Sequence, residues 1–257
     1  MSLTSDIAAL VTAVNTLIAT YDGKKGQIDN AIAAAIAAVP LPARVFYVDQ
    51  VNGNDNNDGT SPATCLQSIQ KALSLAGAGR AVDIRLMRDH TLTSPTIAML
   101  PGQQVRISSH LSVLGSVKYK LYLGLHANTA SVPGDWRVGC FYAPAYGCTT
   151  LNLNSIEVVF PPAPGSGVMV SDIYNALLAG NIDEGPALMG LEMNVCVVTR
   201  PAGSVGVVLG GGIHFTSLFV KSTTFVTADL AGRWVAGVSS GTTPASTGRI
   251  ISNLATL

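Results

Sequence analysis

The sequence predicts a mainly β body, residues 44–257, preceded by a short N-terminal α-helical coiled-coil stem, residues 1–43. Three observations support that division. Apolar residues near the N-terminus recur at alternating spacings of three and four, the seam of a coiled coil. From Arg44 onward the apolar residues come in short runs broken by Gly, Pro, Asn and Ser, the punctuation of strands and turns. Only 12% of the 257 residues are charged, while 48% are hydrophobic and 26 are glycine. That is about half the usual charged share, so one copy has little charged surface to keep it alone in water.

In the stem, Ile7, Leu10, Val14, Leu17 and Tyr21 form the seam, and Ile28, Ala31, Ala35 and Ala38 resume it in the same frame. Ser5 before Asp6 offers an N-cap. Gly23 and Gly26, with Lys24 at a core position, predict two helical pieces joined by a local break. Pro40 and Pro42 stop the helix and set it apart from the body. An apolar stripe also suits a helix packed on its own domain, and the prolines tell against that alternative. Ile7 and Val14 with Leu10 and Leu17 favour two chains by the coiled-coil rules, so the stem alone does not dictate a trimer. No basic segment precedes the apolar stretch, which is interrupted by Thr and Asn, unlike a signal peptide. Nor is there an uninterrupted apolar run of about 20 residues, and membrane insertion is not expected.

In the body, candidate strands are 45–48, 82–87, 104–108, 111–114, 118–123, 151–160, 188–198, 205–209, 213–226 and 233–238. Only 68–75 and 171–178 read as helical. Many short strands with scarcely any helix leave a sandwich, a barrel or a solenoid. A charge-poor, glycine-rich composition suits a solenoid, whose parallel strands are covered on the inside and, in an oligomer, on part of the outside. No internal repeat is regular enough to count.

One segment, 46–76, reads FYVDQVNGNDNNDGTSPATCLQSIQKALSLA. Tyr47 and Val48 begin it as a strand. Gly53, Asn54, Asp55, Asn57, Asp58, Gly59 and Thr60 follow as a turn whose residues tolerate left-handed backbone and bond side chain to main chain. A helix then carries Ser68, Ile69, Gln70, Ala72 and Leu73, with an apolar face able to cover the open end of stacked strands. The segment resembles the start of pectate-lyase-like right-handed β-helices, especially those of bacteriophage tailspikes and tail fibres. The resemblance implies a homotrimeric right-handed parallel β-helix with an end-capping helix near 68–75. It implies a virion protein, a tail appendage assembled in the host cytoplasm. Such a protein joins other tail or baseplate proteins through its N-terminal stem and binds a host-surface polysaccharide or receptor. No cofactor is implied.

Other chemistry is thinly represented. The 15 basic and 15 acidic residues cancel, and no Lys/Arg cluster tracks a phosphate backbone, so nucleic acid is not an expected partner. Asn54, Asn56, Asp58 and Gly59 fall near calcium-loop spacing, but Asn holds the first position and Cys65 the twelfth, where Glu belongs. The spacing of Cys65, Cys140, Cys148 and Cys196 makes no zinc motif, and buried thiols are expected, with a Cys140–Cys148 pair left open. Gly237, Ser239 and Gly241 match a nucleophile-elbow pattern, yet loop residues follow instead of a helix. No catalytic residue is assigned, and no metal site is expected.

Depolymerising spikes of this kind act as glycoside hydrolases or lyases. Hydrolysis would need paired carboxylates. With Glu only at 157, 184 and 192, the suggestive acids are Asp183 and Glu184, which adjacent on a strand would face opposite sides. For a lyase, Arg200, Lys221 and His214 are the cationic candidates, none tied to an acid. Trp136, Tyr142 and Tyr146 lie in a Gly/Pro-broken stretch suited to stacking on sugar rings, or equally to anchoring a loop. The expected function is therefore structural and adhesive, with a polysaccharide depolymerase or a purely architectural head fibre or tail connector as alternatives.

Overall fold

The computed structural model describes residues 3–38, 43–110, 118–128, 135–144, 147–165, 175–180, 188–204, 206–211, 215–226 and 230–257. The chain divides into two compact units, Met1–Pro42 and Ala43–Leu257.

The first unit is a single α-helix, α1 (Leu3–Ala38). The expected break does not occur. Gly23 and Gly26 each cost about 1 kcal/mol against Ala, but they remove no backbone donor, and the helix runs through both. Ser5 lies within the first turn and does not precede the helix as a cap. Thr12, Thr16 and Thr20 donate to carbonyls four residues back along one polar side. Ile7, Leu10, Val14, Leu17, Tyr21 and Ile28 are between 45% and 69% exposed, and Val11, Ile18 and Ile32 widen the open stripe. By length and composition alone Leu3–Ile32, which contains an 18-residue stretch of mean hydropathy 1.4, could cross a membrane. Asp6, Asp22, Lys24, Lys25 and Asp29 fall within that span.

The second unit is mainly β with parallel sheets. In chain order its first elements are β1 (Arg44–Val48), α2 (Ile69–Ala76), β2 (Ala81–Leu86), β3 (His90–Thr91), β4 (Thr96–Ala98) and β5 (Gln104–Ser109). Next come β6 (Lys120–Tyr122), β7 (Leu125–Asn128), β8 (Asp135–Val138), β9 (Cys140–Ala143), β10 (Cys148–Asn154), β11 (Glu157–Val159) and β12 (Ala176–Gly180). The last are β13 (Leu188–Asn194), β14 (Val197–Thr199), β15 (Val207–Leu209), β16 (Phe215–Lys221), β17 (Thr224–Val226) and β18 (Ile250–Ser252). They form a seven-stranded sheet, β1-β2-β5-β10-β13-β16-β18, a five-stranded sheet, β17-β14-β11-β6-β3, and a four-stranded sheet, β15-β12-β9-β4. All pairs in these three are parallel, and β10–β15 visit the sheets in turn twice over. β7 and β8 make a separate antiparallel hairpin.

Register stacks like on like. Val82, Val105, Leu151, Leu191 and Leu218 form one buried column of the seven-stranded sheet, and Ile84, Ile107, Leu153 and Met193 another. Leu121, Val158 and Val198 repeat this in the five-stranded sheet, and Ile97, Phe141, Leu178 and Leu209 in the four-stranded one. Burying each such side chain contributes about 1.5–3 kcal/mol. The stretch 171–178, expected as helix, ends in β12. Its buried run ALLAG has no period to separate helix from strand, and pairing with β9 and β15 decides it. Residues 111–114 lie outside the described residues.

The first strands of the sheets are sealed by side chains. The Gln50 amide exchanges two hydrogen bonds of 2.8 Å with Thr91 of β3, and the Gln70 amide likewise holds Ala98 of β4. At the far end Asn253 does the same for Val220 of β16. Each side chain imitates a strand's backbone and satisfies groups an edge would leave open. Helix α2 buries Ile69, Ala72, Leu73 and Ala76.

Runs expected as single strands at 151–160, 188–198 and 213–226 are each two strands, because a left-handed residue turns each chain between sheets. These are Ser155 (φ 52), Val195 (φ 55) and Ser222 (φ 49). They follow the register-matched Asn154, Asn194 and Lys221, and Ser155 N–H donates to Asn194 at 3.0 Å as Val195 N–H does to Lys221 at 2.9 Å. A left-handed residue with a Cβ costs about 1–2 kcal/mol, most for a β-branched one, and the stacked bonds hold it there. Val195→Asn should therefore raise stability by roughly 1 kcal/mol and Ser155→Val should lower it by a similar amount. Denaturant midpoints of the two variants, read against the parent chain, check both signs.

Candidate functional site

The turn after β1 is built from its own side chains. Val48 bridges Leu66 in parallel, and Tyr47 N–H donates to Gly59 O at 2.8 Å, so the segment lies along the open edge of β1. Gly53 is required by close approach: a Cβ there would meet Leu66 O at 2.1 Å. Gly59 has φ 69, which a side chain rarely adopts. Asp55 accepts from the N–H groups of Gln67 and Ser68 at 2.8 and 2.9 Å and from the Ser68 hydroxyl at 2.7 Å, while Ser68 caps α2 by accepting from Lys71 N–H. Asn54 accepts from Asn56 N–H. The Asp58 carboxylate is held below its usual range by the Thr64 hydroxyl and by Thr60. Asp49, whose burial would raise its pKa, is lowered instead by the N–H groups of Asn52 and Val51 and by Arg88 at 2.7 Å. These carboxylates organise the turn. Among the described residues no group of three or more His, Cys, Asp or Glu is placed to hold a metal ion.

The aromatic candidates are only partly brought together. Trp136 is half-buried on β8, opposite Ala127 of the hairpin. Tyr142 is half-buried on β9 between Ala98 and Ala179. Tyr146 lies outside the described residues, as do Asp183, Glu184 and His214.

One concavity was not anticipated. It is a groove of ≈ 460 Å³ across the outer face of the seven-stranded sheet. Its floor is Ala81, Gln104, Thr150, Gly190 and Ser217, and one wall is the matched column Asp83, Arg106, Asn152, Glu192 and Phe219. Asp83 and Glu192 stand three strands apart. At about 4.8 Å per strand that is roughly 14 Å, beyond the ~9.5 Å limit for an inverting pair. Glu192 accepts from the Asn152 amide at 2.6 Å, and Asp83 pairs with Arg85 at 3.3 Å. On the neighbouring sheet Glu157 is held by Lys120 at 3.8 Å and by the Thr199 hydroxyl.

The other candidates resolve as structure. Arg200 is buried and donates to the carbonyls of Ser204 and Gly206. Lys221 is exposed at the end of β16. Ser239 sits between turns, with a short 3-10 segment, Pro244–Thr247, downstream where an elbow needs a helix. No disulfide joins the four cysteines, and Cys140 and Cys148 open strands of different sheets. Burial pushes the Cys65 and Cys196 thiols up. Comparisons with protein-family models, with curated proteins and with solved structures find no match to this chain.

A second cleft, of ≈ 540 Å³, is lined by Gln50, Asp55, Gln67, Ser68, Gln70 and His90. His90 takes the inward position of β3, stacked on Leu121, and its Nδ1 has no hydrogen-bond partner. Burial pushes its pKa down to about 4 from the usual 6.5, against the pull of Asp55. The folded state thus prefers the neutral ring. The associated stability is present above about pH 6.5 and drains away as pH falls toward about 4, on the order of 3 kcal/mol in all. Chemical denaturation at about pH 7 and about pH 4.5 should give a loss of roughly 2–3 kcal/mol, much of it abolished in His90→Phe.

Proposed function

We propose that this chain is a structural appendage of a bacteriophage virion, a homotrimeric tail fibre or spike that attaches through its N-terminal helix and presents a glycan-binding face to the host. The observation that carries the reading is the stem. A helix of 36 residues, about 54 Å long, leaves the large residues of its apolar seam, Ile7 to Ile28, exposed in a single copy. Isolated helices gain most of their stability from packing an apolar face, so this one needs partners. Val11, Ile18 and Ile32 extend the stripe beside the seam, and the wider face favours more than two helices.

The body is read as a right-handed parallel β-helix. Support comes from three parallel sheets visited in turn, from matched inward columns and from the near-universal right-handedness of parallel crossovers. The ordered turn and capping helix at 46–76 strengthen the resemblance to phage tailspikes and tail fibres. Adhesion is favoured over depolymerisation because the described glutamates are held by Asn152, Lys120 and Thr199, and Asp83 and Glu192 stand too far apart for hydrolysis.

The hairpin β7–β8 stands outside the three sheets and carries Trp136, which makes it the proposed glycan contact together with Tyr142. A rigid trimer repeats a weak contact three times and gains avidity without new chemistry.

Light scattering on the purified chain should give about three times the 26.5 kDa of one copy. A mass of one copy at micromolar concentration overturns the reading. Trp136→Ala with Tyr142→Ala should cut adsorption to host cells at least tenfold, each aromatic contact contributing about 0.5–1.5 kcal/mol per subunit. Unchanged adsorption by a trimer of unchanged Tm removes the hairpin from the binding face.

A further inference from the structure

Four large side chains at outward positions of the seven-stranded sheet stand open in one copy: Leu188 (54% exposed), Phe215 (45%), Phe219 (43%) and Ile251 (57%). Register gathers them. Leu188 lies opposite Phe215, Ile251 opposite Ser217, and Phe219 opposite Glu192, so β13, β16 and β18 carry a contiguous apolar patch. Toward β2 the same face turns polar through Asn152, Arg106 and Asp83. Between the two lies Gly190, required by close approach, since a Cβ there would come within 2.9 Å of Ser217 Oγ and 3.0 Å of Thr150 Cγ2.

We infer that this face is the contact between the bodies of neighbouring copies of the chain, three such faces meeting around a threefold axis. The inference rests on the trimer reading above. Area is the first argument for a second copy as occupant. The four side chains expose roughly 400 Å² of apolar surface, about half of the ~800 Å² per partner that a stable interface buries. That is the share expected of a desolvated core within a polar rim. A patch of this size on a lone soluble chain marks a contact.

Charge is the second argument. The face holds both signs, Asp83 and Glu192 against Arg106 and Lys221, within a chain of zero net charge. A copy of the same face supplies the complement. An acidic polysaccharide would meet carboxylates at both ends of the groove. Arg106 stands outside the salt bridges of the described residues, so its charge is available to a neighbour. Strands held in one register also present the patch as a rigid surface, which lowers the ordering cost of association.

Hydroxyl-radical footprinting of the full-length assembly tests this, with Phe225 of β17, 37% exposed, as an internal reference of the same residue type. In one isolated copy Phe215 and Phe219 would oxidise at least as fast as Phe225. In the proposed assembly they should oxidise about tenfold more slowly. A trimeric mass with Phe215 and Phe219 oxidised as fast as Phe225 overturns this interface and leaves the trimer standing. A monomeric mass overturns both. Protection that appears only when host polysaccharide is added assigns the face to glycan and also overturns the interface. In a second arm, Phe215→Arg with Phe219→Arg should raise the concentration at which the assembly dissociates at least tenfold. Unchanged dissociation in a folded double variant again counts against it.

Discussion

The body depends on one constraint: every strand in the three parallel sheets must keep register with its neighbour so that inward side chains stack in unbroken columns. A slip of one residue would turn Leu151, Leu153, Leu191 and Met193 outward together and bring Asn152, Glu192 and Asn194 in. The left-handed corners enforce the same register independently. Ser155, Val195 and Ser222 occur at equivalent places in successive strands, and the N–H groups of Ser155 and Val195 bond to carbonyls of the next strand. Two unrelated energetic terms, burial and backbone bonding, thus favour a single alignment. Agreement between levels of this kind makes a native state unique.

Stacking solves the interior and creates a problem at the ends. A first and a last strand offer unpaired backbone groups and the bare end of each column. Helix α2 packs its apolar face against β1, β2 and β4, while Gln50 and Gln70 replace missing strands on two sheets and Asn253 does so at the other end. His90 shows the strain of that position. It ends the column of Leu121, Val158 and Val198, where an aliphatic residue would pack without a polar atom to satisfy.

The parts of the fold that were legible in the sequence are those whose signal is local. Apolar alternation marked β1, β2 and β5, and Ser68 followed by Ile69, Ala72 and Leu73 marked α2. Strands such as β3 and β4 were missed because two or three residues make no period, and they exist through pairing with distant partners. The corners were missed for a different reason: Val195 is a poor left-handed residue, so composition gives no hint of a turn that tertiary bonding imposes. The break expected in α1 came from weighing two glycines more heavily than the uninterrupted donors around them. The outer groove was invisible because its wall draws one residue from each of five strands, a grouping that only register defines. The hairpin position of Trp136 had a faint local signal in the flanking Gly and Pro residues.

The stem and the outer face of the body have complementary weaknesses. The stem's seam begins with large residues and thins to Ala31, Ala35 and Ala38 after Lys24, so its later turns offer little surface to bury. The contact proposed around Phe215 is apolar over about half of its area and polar around that core. Each of the two surfaces is modest by itself. They are joined in sequence through residues 39–42, however, and tethering converts the second association into an intramolecular one at an effective concentration near millimolar. In the proposed assembly each interface therefore raises the occupancy of the other, and a chain with few charges covers two of its apolar surfaces together.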